Sequence, residues 1–253
     1  MEATSVLACD VGNTRIALGC VTGEEVSATR RVTGGDAPAL AAALSELWEA
    51  LSPPKVIAAC SVSPAHLTEL ESAADRLGQK VLVVGRELPL PIETDLPQPE
   101  RIGADRLCAA AMAYRRLGRA CVVADFGTAI TIDCVSEDGV FLGGAILPGL
   151  KMGSAALARG TAALPEVEPV KPDWVFGKDT RQALIGGLVF GARGALRELT
   201  EAYATALGHW PLLILTGGDA ELVGGGNDMV QAIVPDLVLM GVALACHISK
   251  PPK

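Results

Sequence analysis

The sequence predicts a duplicated α/β fold in which each half of the chain begins with a strand, a tight turn and two further strands. One observation is a repeated pattern: an apolar run ends in an acid and turns through a glycine at 8–19, and the same design returns at 122–133. Another is that segments typical of helices and buried strands follow in each half. With 253 residues, 50% of them hydrophobic, the chain suffices for two modest domains, predicted at 1–117 and 118–253.

The first half is predicted to contain five strands and three helices. Apolar runs indicate strands at 5–10, 15–21, 25–32, 55–60 and 80–84, and helices at 37–51, 64–77 and 104–117. The second helix has clear ends, because Ser63 is a typical N-cap, Pro64 suits the first helical position and Gly78 follows the last turn. Residues 87–102 hold four prolines and several acids, which indicates a linker or a substrate loop.

The second half repeats the opening and then adds a long helix. Strands are predicted at 119–125, 128–135, 139–146 and 211–215, an extended loop at 164–173, and helices at 151–158, 180–206 and 236–249. The long helix carries four glycines among small residues, namely Gly186, Gly187, Gly191 and Gly194. Since glycine inside a helix costs about 1 kcal/mol relative to alanine, these glycines favour close packing against another backbone or subunit.

Composition excludes several classes of function. The net charge is −8 with no basic cluster, which argues against nucleic acid and anionic membranes as partners. No signal peptide is indicated, and the apolar stretch 237–248 is too short to span a bilayer. The seven cysteines are odd in number and show no Cys-x-x-Cys spacing, so we expect reduced, buried thiols in a cytoplasmic protein. The three histidines lack metal or triad spacing, and we expect surface or capping roles for them.

The two turns are the strongest chemical signal. They read Asp-x-Gly-Asn-Thr from Asp10 and Asp-x-Gly-Thr from Asp125. Glycine lets a ligand approach the backbone, turn N–H groups suit a phosphate, and a carboxylate suits the accompanying metal ion. Two ordinary hairpins remain the alternative. The chain contains neither a P-loop pattern nor the glycine pattern of dinucleotide-binding folds.

Two further segments have both structural and chemical interpretations. Asp105, where the proline-rich loop meets a helix, is either an N-cap or a general base that takes a proton from an attacking hydroxyl. Arg106 beside it is suited to an anionic substrate or a phosphate oxygen. The run Gly217-Gly218-Asp219-Ala220 follows a buried strand and would let a nucleotide base lie against the backbone.

Taken together, these residues resemble the type III pantothenate kinases, a family of the acetate-kinase, sugar-kinase, Hsp70 and actin superfamily. The resemblance rests on motifs in family-like order: Asp10-Val-Gly-Asn-Thr14, Ser61-Val-Ser-Pro64, Gly103-Ala-Asp-Arg106, Asp125-Phe-Gly-Thr-Ala129, Gly143-Gly-Ala-Ile-Leu-Pro-Gly149 and Gly177-Lys-Asp-Thr180. It implies two ribonuclease-H-like (actin-like ATPase) domains with mixed sheets and flanking helices. It also implies ATP-dependent phosphorylation of pantothenate, the first step towards coenzyme A.

The resemblance also implies a role for each matching residue. Asp105 would be the catalytic base, and Asp125 would bind a monovalent cation, K⁺ or NH₄⁺. Asp10 would meet the Mg²⁺ or similar divalent ion that accompanies ATP. ATP would be held by Asp10, Val11, Gly12, Asn13, Thr14, Arg15, Ile16, Ala17 and Thr128. Pantothenate would be held by Gly103, Ala104, Asp105, Arg106 and Thr180.

The family's dimer interface helps to build the substrate pocket, so a homodimer is expected here. One departure is visible: the family often has Tyr-x-Asn-Pro before the Gly-Ala-Asp-Arg motif, and this chain has Leu96-Pro-Gln-Pro99. Two other functions stay open. One is a nucleotide-binding regulatory homologue without kinase turnover. The presence of all three acids, Asp10, Asp105 and Asp125, argues against it. The other is a sugar or small-acid kinase, and the Gly-Ala-Asp-Arg motif argues against it.

Overall fold

The computed structural model of the protein describes residues 4–249, which divide into two compact units. The first unit comprises the chain up to Arg116 together with the segment from Asp236 onward, and the second comprises Leu117–Pro235. The first division lies within one residue of the predicted boundary. The return of the chain at Asp236 differs from the prediction, in which the second domain was 118–253.

The first unit is a five-stranded mixed sheet with helices. Its strands are β1 (Ser5–Val11), β2 (Arg15–Thr22), β3 (Glu25–Thr33), β4 (Lys55–Ser61) and β5 (Val81–Val83), with a short β6 (Glu93–Thr94) following in the chain. Its helices are α1 (Ala37–Ala50), α2 (Pro64–Arg76), α3 (Ala104–Leu117, of which Leu117 belongs to the second unit) and α7 (Leu237–Ile248). The sheet order is β3-β2-β1-β4-β5, with β1 antiparallel to β2 and parallel to β4.

The sheet of the first unit is covered on both faces. One core joins the sheet to α1 and α2 through fully buried side chains such as Leu7, Ile16, Leu44 and Leu70. On α7, Leu239 packs against the backbone at Gly19 of β2, where an added Cβ would lie 2.8 Å from Leu239 Cδ1. Helix α7 is apolar on all sides and buried over most of its length, as expected of a helix enclosed in a core.

The second unit repeats the plan. Its strands are β7 (Cys121–Phe126), β8 (Ala129–Val135), β9 (Val140–Pro148), β10 (Leu212–Thr216) and β11 (Val230–Ile233), and its helices are α4 (Leu150–Gly160), α5 (Thr180–Leu207) and α6 (Ala220–Gly224). Within this unit the strand order is β11-β10-β7-β8-β9. Its core is formed by side chains of the sheet and of α4, α5 and α6, including Phe126, Ile132, Val189 and Leu196.

The duplication therefore extends to topology. In each unit the first strand pairs antiparallel with the second and parallel with the fourth, and the order of the five main strands is the same. This arrangement places Asp10 and Asp125 at equivalent positions, one residue before the end of a central strand. The predicted α/β class, mixed sheets and flanking helices are confirmed.

Most predicted elements lie within a few residues of the observed ones, and the differences concern short elements. The sequence did not predict β11, α6, the two-residue β6 or the 3₁₀ turn Pro99–Arg101 within the proline-rich loop. The second helix ends as expected, with Ser63 as N-cap and Gly78 at φ 68°. Among residues 4–249, no helix combines the length and the apolar character needed to cross a bilayer.

Candidate active site

The first turn joins β1 to β2. Asp10 lies opposite Ala17 in the antiparallel register, and the Gly12 N–H donates to the Arg15 carbonyl over 3.0 Å. The turn is also attached to the segment that follows the neighbouring strand β4, because the Val62 N–H donates to the Val11 carbonyl over 3.1 Å. The backbone of the proposed phosphate turn is thus fixed from two sides.

Of the nine residues predicted to hold ATP, the eight from Asp10 to Ala17 differ in how far their side chains are exposed. The side chains of Val11 and Ile16 are fully buried in the core, so only their main-chain atoms are available to a ligand. Asp10, Gly12 and Ala17 are half-buried. The exposed members are Asn13, Thr14 and Arg15.

Asp10 stands in an environment that disfavours its negative charge. Its pKa is raised to about 7, first by burial and then by the negative charge of Asp105. Two weaker influences lower it: the Cys60 thiol, which donates to Asp10 Oδ1 over 3.6 Å, and the charge of Arg31. The first unit therefore brings together two of the three carboxylates that the sequence singled out, and a cation beside them would relieve their repulsion.

Asp105 is the second residue of α3, so it lies inside the first helical turn rather than at the N-cap position. Its Oδ1 accepts a hydrogen bond from the Arg106 N–H over 2.8 Å. Gly103 leaves the space for this carboxylate, since a Cβ there would lie 2.4 Å from Asp105 Oδ1. Burial raises the pKa of Asp105, while the N–H and the charge of Arg106 partly offset this. A carboxyl group with a raised pKa is suited to accepting a proton.

The second turn is built in the same way in the second unit. The Gly127 N–H donates to the Ala129 carbonyl over 3.1 Å, which makes this turn one residue shorter than the first. Asp125 is half-buried and Thr128 is exposed. In parallel register, Asp125 lies beside Thr216 of β10.

Two glycines from distant segments enclose the second turn. A Cβ at Gly149 would lie 2.3 Å from the Thr128 carbonyl oxygen, and one at Gly217 would lie 2.3 Å from Asp125 Oδ1. Gly217 also adopts φ 92°, a conformation that side chains rarely allow. Gly218, next in the chain, is exposed with open space at its Cβ position. The backbone at Gly218 is therefore accessible to a flat ligand.

The remaining predicted site residues lie in the first turns of two helices. Thr180 is the first residue of α5 and is exposed, and Asp179 caps the helix by accepting from the Gln182 N–H over 2.8 Å. Leu96 is half-buried in the proline-rich loop. Ala104 and Arg106, in the first turn of α3, are half-buried like Asp105.

Two side chains near the first turn were not predicted. Cys60 contacts Asp10 across the parallel β1–β4 pair, a position that follows from the register once both strands are known to end together. His66 of α2 contacts the Gly12 carbonyl over 2.9 Å. The sequence had suggested only a surface or capping role for His66, and no pattern near it indicates this contact.

The donor set fits a divalent ion that arrives with a phosphate. Within the described part of the chain, no three His, Cys, Asp or Glu side chains gather in a way that would hold a metal on their own. Mg²⁺ is commonly held by one or two carboxylates together with substrate phosphates. Asp10, an oxygen donor beside turn N–H groups, fits that role.

The two-fold repeated α/β unit, with an acid and a glycine turn at the end of each first strand, defines the actin-like fold class. A solved structure from Campylobacter jejuni, described as a conserved candidate Baf family transcriptional activator, aligns with TM-score 0.60 and 21% identity, covering 96% of this chain and 98% of that one. A candidate 2-dehydro-3-deoxygalactonokinase from Sinorhizobium meliloti aligns with TM-score 0.57 and 17% identity, covering 97% and 99%. At such identities these likenesses establish the fold alone.

Sequence comparison assigns the family within this class. The profile of the type III pantothenate kinase family matches residues 6–202. The type III pantothenate kinase of Dehalococcoides mccartyi is 32% identical over 253 residues, covering 97% of this chain and 98% of the relative. The chain belongs to the type III pantothenate kinase family.

Proposed function

We propose that this protein transfers the γ-phosphoryl group of ATP to the hydroxyl group of pantothenate, the first step of coenzyme A synthesis. The observation that carries the proposal is the pairing of Asp10 and Asp105 in the first unit, where the charge of one raises the pKa of the other. A phosphoryl-transfer site requires positioning, neutralisation of charge and a base for the incoming hydroxyl. Asp10, Asp105 and the first turn provide that combination in this chain.

In the proposed reaction, Asp105 accepts the proton of the pantothenate hydroxyl as that oxygen attacks the γ-phosphorus in line. The new O–P bond forms while the bond between the γ-phosphorus and the bridging oxygen breaks, and ADP leaves with that oxygen. Gly103, Ala104 and Arg106 hold the substrate beside Asp105, and Thr180 contributes from the start of α5. Leu96 offers an aliphatic surface where relatives often have an aromatic ring.

The nucleotide is assigned to the turns. The N–H groups and exposed side chains of the first turn orient the phosphates, with Asp10 aimed at the accompanying ion, and Thr128 of the second turn contacts ATP. Bound Mg²⁺ would neutralise charge on the transferred phosphoryl group. Asp125 holds a monovalent cation, supported by its position equivalent to Asp10 and by the carbonyl oxygens of the tightly enclosed second turn.

A homodimer is the proposed assembly. The glycines Gly187, Gly191 and Gly194 lie on an exposed side of α5 with open space at each Cβ position. Phe190 on the same helix is 39% exposed, and Phe176 before the helix is 80% exposed. An exposed apolar surface with room for close backbone approach suits a second copy of the chain.

A coupled assay of ADP release, with pantothenate and a panel of sugars as acceptors, tests the function. Release with pantothenate alone is the expected result. Release with a sugar instead would identify a different kinase of the same fold. Nucleotide binding without release in the presence of any acceptor would replace the kinase by a nucleotide-binding regulator.

A further inference from the structure

The side chain of His66 reaches from α2 to the first turn. His66 Nδ1 lies 2.9 Å from the carbonyl oxygen of Gly12. Because a carbonyl oxygen only accepts, Nδ1 must carry the proton and donate. The Gly12 N–H donates to the Arg15 carbonyl and closes the turn. Both the N–H and the carbonyl group of Gly12 are therefore hydrogen-bonded.

The position of the imidazole depends on Gly34, the residue directly after β3. A Cβ added to Gly34 would lie 2.2 Å from His66 Cε1 and 2.5 Å from Nε2, so the ring occupies the space that a side chain at 34 would need. The Gly34 N–H in turn donates to the Thr14 carbonyl over 3.0 Å. One turn further along α2, Glu69 Oε2 accepts from the Gly35 N–H over 3.3 Å.

The first turn is therefore held at two points, and the bend that holds the second of them is itself held against α2. Gly12 is held by His66, Thr14 by Gly34, and the Gly34–Gly35 bend is held against α2 through Glu69. The ring of His66 is half-buried between the turn and the bend, and it connects them. These contacts reach Gly12 and Thr14 through their main-chain carbonyl groups, and none of them involves a side chain assigned above to ATP, to pantothenate or to a metal ion.

We propose that His66 is a positioning residue for nucleotide binding: with Gly34, it fixes the backbone of the Asp10–Arg15 turn in the conformation that receives the phosphates of ATP. The proposal rests on the proposed function for the identity of the ligand. It assigns to His66 no contact with ATP itself, and its effect passes through the Gly12 carbonyl.

The test compares His66→Ala, His66→Asn and the exposed control His209→Ala. Calorimetric binding of a non-hydrolysable ATP analogue with Mg²⁺ is measured, together with KM for ATP, KM for pantothenate, kcat and Tm. His66→Ala is expected to weaken analogue binding and to raise KM for ATP by roughly 2- to 10-fold, the effect of one lost hydrogen bond. His66→Asn should recover most of this, because its amide nitrogen can donate where Nδ1 does. KM for pantothenate should stay within about 2-fold in all three, since only the nucleotide turn is disturbed.

A double-mutant cycle with Gly34→Ala separates this role from general stability. In the wild-type background the added methyl group would push the imidazole away from Gly12, so Gly34→Ala should weaken analogue binding about as much as His66→Ala. In the His66→Ala background the space is vacant, and Gly34→Ala should add less than about 2-fold. Additive effects of the two substitutions would overturn the proposal. A lower Tm with unchanged analogue binding in His66→Ala would also overturn it.

The outcomes distinguish this inference from the proposed function. If the wild-type protein binds the analogue but phosphorylates no pantothenate, the function fails while the dependence on His66 is still measured by calorimetry. If the wild type turns over pantothenate and His66→Ala leaves both analogue binding and KM for ATP unchanged, the inference fails alone. If the wild type does not bind the analogue, both fail.

Discussion

The Cys60 thiol donates a hydrogen bond to Asp10 Oδ1 over 3.6 Å from the neighbouring parallel strand. Cys60 is fully buried, and it also shares a hydrogen bond with Cys108 of α3. The carboxylate assigned to the metal-bearing end of ATP is therefore oriented from within the core of the first unit.

Replacing Cys60 tests this orientation. Cys60→Ala removes the donor, and we expect the Mg²⁺ concentration for half-maximal rate to rise about 3-fold or more, whereas Cys60→Ser keeps a donor and should stay nearer to the wild type. The measurement is a Mg²⁺ titration of the initial rate. Cys121→Ala, which also truncates a fully buried strand cysteine, is the control for packing loss. Equal Mg²⁺ dependence in both alanine variants would exclude a role for the thiol.

Asp105→Asn should keep ATP binding and lose most turnover. Asparagine is close in shape but cannot accept the hydroxyl proton, and general-base assistance typically contributes about 10²- to 10⁴-fold. Calorimetry of the ATP analogue and the coupled assay give the two readouts. Near-normal turnover would remove Asp105 from the mechanism.

Asp125→Asn should reduce the response to monovalent cations. The wild-type rate is expected to depend on K⁺ or NH₄⁺. In the variant, the factor by which the activating ion raises the rate should be about 10-fold smaller, and KM for ATP should be higher. Rates measured in K⁺, NH₄⁺ and Na⁺ at constant ionic strength provide the comparison. A wild-type enzyme that is indifferent to all three ions would contradict the assignment of a cation to Asp125.

Gly217→Ala should damage the second turn, and Gly218→Ala should not. At Gly217 the backbone has φ 92° and a Cβ would lie 2.3 Å from Asp125 Oδ1, so we expect a loss of about 2–4 kcal/mol in the free energy of unfolding from strain and overlap. At Gly218 nothing lies within 4 Å of the Cβ position. Denaturant unfolding of both variants makes the comparison, and equal stability would show that the turn can relax.

Gly191→Glu tests the dimer. Open space surrounds Gly191 within the chain, so a single subunit should tolerate glutamate, while two copies packed across α5 should not. Light scattering should report a dimer for the wild type and a monomer for the variant. A wild type that is monomeric at micromolar concentration would refute the proposed assembly.

The sequence identified the parts of the molecule that depend on local patterns. The Asp-x-Gly turns at Asp10 and Asp125 were predictable because a strand, an acid and a turn-forming glycine are adjacent in the chain. Helix α2 was predictable because its N-cap and its terminal glycine are local signals. Short elements such as β11 were not predicted, since four residues between polar turns carry little periodicity.

The contacts that complete the candidate site depend on distant residues. His66 contacts Gly12 although the two residues are 54 positions apart in the sequence, and Gly149 approaches Thr128 because strand β9 returns to the second turn. Neither contact can be recognised from the local sequence. The packing of α7 against the first sheet could not be predicted for a similar reason. Its uniform apolar character indicates burial without saying against which sheet.

The membership of α7 in the first unit has a consequence for how the chain is made. The strands β1 to β4 leave the ribosome early, yet the helix that packs against Gly19 of β2 is translated only after the whole second unit. The second unit, continuous from Leu117 to Pro235, can complete its core during synthesis. The first unit finishes last, so a nascent chain stopped before residue 237 would leave one face of its sheet exposed to aggregation and to chaperones.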